Sequence, residues 1–356
     1  YNWQAASREF LMEHAARGDR EAAEILRGLL LSERPEEGGA ADAGVRVAIG
    51  ICTARRPFML MRCLEALAAQ ILPRGTELDI VVVDNEPAPN NRRQVGLFAT
   101  RCPFPVHYIH EPRRGIPQAR NAVLKKCREL DVDWVAFTDD DCWASPAWLE
   151  GLLQAAARHQ ADVVYGCREL LFPLSSPFWV TRRESSRYKD GQSLPYASTH
   201  NVVFAAGLIR DGAVAGLQFD ERLMHGEDTD FFHRAALRGA RIVYARDPLV
   251  LETVAPERAT LNYQAKRAYH YGASRSRFCW RHKGVAGVAR ELAGRFLLQT
   301  PLALARLLTA LLVWPFSMLV FKRLVLKGTA RLAGAAGAAA GLFGFARNPY
   351  DRIDGY

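Results

Sequence analysis

VAFTDDDCW (residues 135–143) carries an apolar run straight into three adjacent carboxylates, Asp139, Asp140 and Asp141. Side chains on a strand alternate between faces, so a strand continued through the acids sets Asp139 and Asp141 on one side and Asp140, the one expected to tolerate change, on the other. Two carboxylates about 5 Å apart repel by roughly 3 kcal/mol in a protein environment, and a divalent cation between them removes that penalty. Oxygen donors suit Mg2+ or Mn2+, which takes one or two carboxylates and completes its shell with phosphate oxygens. In isolation, three aspartates read equally well as a solvated acidic turn.

The flanking sequence argues for the metal reading. Short β-rich runs at 45–52 (VRVAIGIC), 78–84 (LDIVVVD), 105–110 (PVHYIH), 133–139 and 161–167 (ADVVYGC) alternate with helix-like stretches at 57–71, 117–129 and 146–159. That order predicts an α/β fold, a mostly parallel sheet flanked by helices, whose ligands bind at the carboxyl ends of the strands. Polar residues collect there: TARR follows the first run, DNEP the second and DDDC the fourth. Further on, 199–205 (THNVVFA) and 240–245 (ARIVYA) read as strands, 226–239 as a helix with acids at its start, and 256–280 as a long Arg- and aromatic-rich helix. Residues 3–31 read as an N-terminal helix, 32–44 as a linker and 173–198 as a loop rich in Pro, Ser and Arg.

Each rim residue has an ordinary alternative. Asp84, closing IVVVD, is placed to accept hydrogen bonds from a base or ribose, or simply to cap a turn. Arg120 and Asn121, in RRGIPQARN (113–121), suit a diphosphate or an exposed helix surface. Glu227 and Asp228 open a helix after Gly226, where the helix dipole favours ionised carboxylates and so suits a general base. Asp230 and Arg234 read as an i,i+4 pair.

The 356 residues carry a net charge of +9, and seven cysteines show no CxxC pair or zinc-type spacing. An odd, unpatterned set argues against a disulfide framework or zinc site and for a reducing compartment. The charge is concentrated at the end of the chain: ten basic residues and one acid lie between Arg281 and Arg347, interleaved with aliphatics rather than stacking aromatics. That pattern points to an anionic membrane surface and away from nucleic acid. LLTALLVWPFSMLVF (307–321) is uncharged but too short for the ~20 residues of a span and is interrupted by Pro315, so in-plane helices or a re-entrant hairpin are expected.

Taken in order, VAIGICTARRP, IVVVDNEP, GIPQARN, FTDDDCWASPAWL, STHNVVF and HGEDTDFFHRAALRGARIVYA resemble the motifs of family 2 glycosyltransferases over about 45–270. The resemblance implies a GT-A fold and inverting transfer of a sugar from a nucleotide-sugar, with UDP the common donor nucleotide. It implies that Thr53, Arg55 and Asp84 line the nucleotide pocket, with Arg120 and Asn121 near it. Asp139 and Asp141 would form the DxD motif that contacts ribose and holds Mn2+ or Mg2+. Asp228 would be the base, with Glu227 beside it; Asn201, His225, Gln264 and Arg267 would contact donor or acceptor.

Two departures stand out: Glu252 falls where many members carry a metal-binding His, and YQAKRAY (263–269) lacks the Trp of the QxxRW motif of processive synthases. A nucleotidyltransferase would carry a Gly-rich loop where CTARRP has none. These readings predict three parts: an N-terminal helix and linker (1–44), a GT-A domain (45–280) and basic, apolar, membrane-associating helices (281–356). The expected acceptor is a lipid-linked saccharide at the cytoplasmic face of the inner membrane, with oligomeric state left open. A polyprenyl-phosphate glycosyltransferase and a non-catalytic scaffold are the competing readings.

Overall fold

The computed structural model describes residues 44–171, 188–211, 216–223, 225–254, 258 and 260–343. The helix expected at 3–31 and most of the 173–198 loop lie outside these residues.

Six elements alternate at the start: β1 (Val45–Thr53), α1 (Pro57–Ala68), β2 (Thr76–Asp84), α2 (Arg92–Ala99), β3 (Val106–His110) and α3 (Ile116–Glu129). β4 (Trp134–Thr138), β5 (Cys142–Ala144), α4 (Trp148–His159), β6 (Val163–Leu171), β7 (Asn201–Ala205), α5 (Glu227–Leu237) and β8 (Ile242–Thr253) follow. The eight strands form one sheet in the order β3-β2-β1-β4-β7-β6-β8-β5. Pairing is parallel for β1 with β2 and β4, β2 with β3, and β6 with β8. β7 runs antiparallel to β4 and β6, and β5 antiparallel to β8. The sheet is therefore mixed, with six strands sharing one direction, and the expected parallel majority holds.

Strand periodicity explains the layering. Val47, Ile49, Ile51, Leu78, Ile80 and Val82 pack toward α1, α2 and α4, where Leu60, Leu64, Phe98, Trp148 and Leu152 complete that side of the core. Ala48, Val81 and Val83 face the other way, with Val135 and Phe137, onto Val123 and Leu124 of α3 and Phe231 and Phe232 of α5. Both faces are covered, which is why these strands read as continuous apolar runs. The carboxyl ends of β1, β2 and β4 share one rim. β7 enters at that rim because it is reversed, with Asn201 opposite Thr138.

Beyond the sheet, α6 (Leu261–Ala293) leads through a π-helical turn (Gly294–Gln299) into α7 (Thr300–Val313), and α8 (Met318–Leu342) returns. α6 is not straight. Gly284 takes φ 60°, ψ −162°, and Arg275 reaches Glu291 at 3.5 Å, sixteen residues on. A straight helix would separate those residues by about 24 Å, so the chain reverses at Gly284. α8 lies against the first limb through glycines: a Cβ on Gly337 would stand 1.9 Å from the Tyr269 carbonyl oxygen, and one on Gly272 2.1 Å from that of Gly334.

Candidate active site

Asp139–Asp141 do not continue β4. They form the turn between β4 and β5, closed by the Cys142 N–H donating to the Asp139 carbonyl at 3.1 Å. Strand alternation therefore does not apply, and the three carboxylates diverge. Asp140 accepts from Thr53 Oγ1 (2.8 Å) and Arg56 Nη1 (3.2 Å). Asp141 accepts from Arg56 (2.9 Å) and Arg258 (3.1 Å). Burial pushes the Asp140 carboxyl up, with Asp141 adding to the push and Arg56 opposing it. Asp139 keeps 43% of its side chain exposed, so solvent weakens the same upward push there.

The antiparallel partnership of β5 with β8 sets Cys142 opposite Glu252, bringing Glu252 next to Asp141. Glu252 accepts from Arg168 (2.7 Å) and Arg258 (3.4 Å). The position where a third metal ligand was in question thus holds a carboxylate tied to two guanidinium groups.

Arg120 joins the distant motifs. Its guanidinium is buried, pairs with Glu227 at the start of α5, and stands 4.0 Å from Asp139. Burial and the Asp228 charge push Glu227 up, and Arg120 holds it down. Asp228, half-buried, accepts from Thr229 N at 2.6 Å. Behind it Asp230 accepts from Arg234 (2.7 Å) and His282 (2.8 Å), so the expected i,i+4 pair is also an anchor to α6.

The β2 end carries a second polar group. Asp84 Oδ2 accepts from Asn91 N (2.9 Å) and Tyr108 Oη (2.8 Å), while its buried Oδ1 has no hydrogen-bond partner. Asn85 N donates to the Thr53 carbonyl at 2.9 Å, tying this end to β1.

The remaining expected site residues have these surroundings in the structure. Arg55 adopts φ +57°, and its neighbour Arg56 is the residue that grips Asp140 and Asp141. Asn121 is a clamp, exchanging hydrogen bonds with the backbone of Phe219 at 2.8 and 2.9 Å rather than facing the rim. Asn201 is fully buried, accepts from Trp148 Nε1 and donates to the Cys167 and Pro248 carbonyls, so every polar atom of its side chain is committed to the core. Gln264 turns back to donate to the Arg258 carbonyl at 2.7 Å. Arg267 is exposed on α6. His225 lies 5.4 Å from the His270 ring, and burial drives its pKa down to about 4, leaving it neutral at physiological pH.

Sequence reasoning passed over Arg56, Arg168, Glu252 as an ion-pair partner, and Arg258. The run of two arginines in TARRP was the available signal for Arg56; Arg168 is placed by strand pairing, and Arg258, beyond the end of β8, by its ion pairs with Asp141 and Glu252.

The fold is that of GT-A glycosyltransferases. It matches the mannosyltransferase PcManGT of Pyrobaculum calidifontis, solved with GDP-Man and Mn2+, with a TM-score of 0.57 at 17% identity over 95% of this chain and 99% of that one. S. aureus TarS 1–349 matches at 0.50 and 17% identity over 85% and 91%. The model for "Glycosyl transferase family 2" matches residues 48–216. The succinoglycan biosynthesis protein ExoM of Rhizobium meliloti (strain 1021) is 32% identical over 65% of this chain and 75% of its own length. EpsJ of Bacillus subtilis (strain 168), an uncharacterised glycosyltransferase, is 24% identical over 66% and 69%. The chain belongs to glycosyl transferase family 2 and is a glycosyltransferase.

Proposed function

We propose that this chain is an inverting, metal-dependent transferase that moves a sugar from a nucleotide-sugar, with UDP the first donor to test, onto a hydroxyl of a lipid-linked saccharide in polysaccharide assembly at a membrane. The observation that carries it is the meeting of two distant acid motifs across one cation. Arg120 pairs with Glu227 while standing 4.0 Å from Asp139, which sets the DDD turn opposite the start of α5. Inverting transfer needs that division: a leaving group neutralised on one side and one base for the incoming hydroxyl on the other. Residues 45–280 are taken as the catalytic domain.

In this reading Asp228 accepts the acceptor's proton, and the ionised Glu227–Arg120 pair holds the first turn of α5 in place. Thr53 and Asp84 line the nucleotide pocket, the buried Asp84 Oδ1 being an acceptor without a protein donor. Among the described residues no three His, Cys, Asp or Glu side chains are grouped to hold a metal. The protein would supply Asp139, which is partly exposed, and Asp141, the latter exchanging its Arg56 and Arg258 partners for the cation; two carboxylates suit Mg2+ or Mn2+ when diphosphate oxygens complete the shell. Bound there, the cation would neutralise charge on the departing diphosphate. The relatives add a direction: ExoM is named for succinoglycan biosynthesis, and PcManGT was solved with a nucleotide-sugar and Mn2+.

Asp228→Asn is the decisive variant. Sugar transfer should fall by about 10^2 to 10^4, the usual contribution of a general base, while UDP binding with Mn2+ by calorimetry stays unchanged. Undiminished transfer would remove Asp228 from this role.

A further inference from the structure

The three helical limbs after the sheet have fixed relative heights. Arg275 lies opposite Glu291 across the Gly284 reversal. Fourteen residues back from Arg275 is Leu261, the start of α6; fourteen on from Glu291 is Ala305. α8 is held at a matching height, since a Cβ on Gly334 would meet both Arg295 Nη1 (3.0 Å) and the Ala268 carbonyl (3.5 Å), and one on Gly328 would meet Leu307 (2.8 Å). Among the described residues, therefore, α7 beyond Arg306 and the start of α8 project past α6 side by side.

The projecting part is the uncharged stretch 307–321. It shows its apolar side chains outward: Leu308, Leu311, Leu312, Trp314, Phe316 and Met318 are all exposed, Phe316 by 87%. Its base carries Arg306, Lys322, Arg323, Lys327 and Arg331, and no acid lies between Arg295 and Phe343. From Pro315 to Lys322 is seven residues and to Arg306 nine, so the uncharged tip is ~11–14 Å deep at 1.5 Å per residue. The hydrocarbon of one leaflet is about 15 Å, half of the ~30 Å core. By length and composition the helix Leu261–Val313 could cross a membrane, but the reversal at Gly284 and the charge at Arg306 divide it. The uncharged part of each limb is too short to cross, and α8 brings the chain back beside α6.

We propose that α7 and α8 form a re-entrant hairpin that enters one leaflet of an anionic membrane to the depth of its cationic base and thereby holds the acid rim at the lipid–water interface. Height supplies the second half. Arg258, bound to Asp141, precedes Leu261 by three residues and so lies within ~10 Å of the level of Arg306. A saccharide carried on a lipid phosphate would meet the rim there without leaving the membrane; this orientation rests on the lipid-linked acceptor proposed above. A second copy of the chain is the poorer occupant, because pairing two such tips would bring two cationic bases together. Anionic headgroups complement the base, and basic side chains near the tip can extend their heads to them.

The test uses the 356-residue chain with phosphatidylcholine vesicles with and without phosphatidylglycerol, the acyl chains brominated at shallow or deep positions. Trp314 sits at the tip, and Trp280, 59% exposed, lies beside the Gly284 reversal at the opposite end. Binding should require phosphatidylglycerol and weaken with salt. Deep bromines should quench more than shallow ones, with the quenching lost in Trp314→Phe and kept in Trp280→Phe. Phe316→Glu should lower vesicle affinity about tenfold or more. Stronger shallow quenching, quenching of Trp314 by an aqueous quencher trapped inside the vesicles, or a tip-mediated dimer without vesicle binding would each overturn the proposal. UDP binding measured in parallel separates the two readings: its survival without vesicle binding would sink the hairpin alone.

Discussion

Replacing Arg120 with Met tests whether the bridge between the two acid motifs is electrostatic. Arg120 and Glu227 are both buried, and the guanidinium is the cation that holds the Glu227 carboxyl down against burial and the Asp228 charge. Removing one partner of a buried pair costs about 3–5 kcal/mol when the other stays ionised. Glu227 need not stay ionised. Its folded pKa is already raised above the ordinary value of 4.5, and losing Arg120 raises it further. The sign follows from proton linkage. Below about pH 4.5 Glu227 is protonated both folded and unfolded, and no ionisation penalty exists. Between the unfolded and folded values the folded state binds more protons, so stability falls by up to about 1.4 kcal/mol per pH unit, then levels off above the folded pKa. Denaturant unfolding of Arg120→Met against wild type should therefore show a deficit of about 3 kcal/mol at pH 8 that is smaller at pH 5. Adding Glu227→Gln should recover most of the pH 8 loss. A deficit that is the same at both pH values and untouched by the second substitution would show that Arg120 acts through packing, and the electrostatic account of the bridge would fail.

Two further outcomes follow from the packing. Asn201→Ala leaves the Trp148 indole N–H and two buried carbonyls without their partner and should cost about 2–4 kcal/mol in denaturant unfolding, with the KM for donor unchanged where the protein is folded; a raised KM with normal stability would return Asn201 to the binding surface. Gly337→Leu cannot be housed against the Tyr269 carbonyl and should release α8 from α6, read as new proteolytic cleavage in 318–342 while the sheet stays protected; an unchanged digest would refute the close packing.

The motifs gave the strands their ends because both faces of the sheet are buried, so apolar runs such as IVVVD stop where the chain reaches the rim. The three aspartates were harder. Their place in the chain was plain, but their directions depended on a turn, and the short strand β5 that creates it has only three residues, too few for a periodic signal. Asn121 and Asn201 misled for a related reason: an asparagine near a rim motif looks the same in sequence whether it meets a ligand or clamps a backbone. The uncharged run 307–321 announced an apolar tip, while the reversal at Gly284 that sets its height is a matter of one residue's dihedral angles.

From the sequence alone came the identity of the groups: acids at strand ends, acids at a helix start, a basic and apolar end. Those are local properties, fixed by residue type and spacing. What only the tertiary structure decided is which charges neutralise one another. Arg56, Arg120, Arg168 and Arg258 come from four separate segments, and sheet pairing and helix packing bring each to its carboxylate. Electrostatic pairing depends on distances through space, and chain order does not contain them.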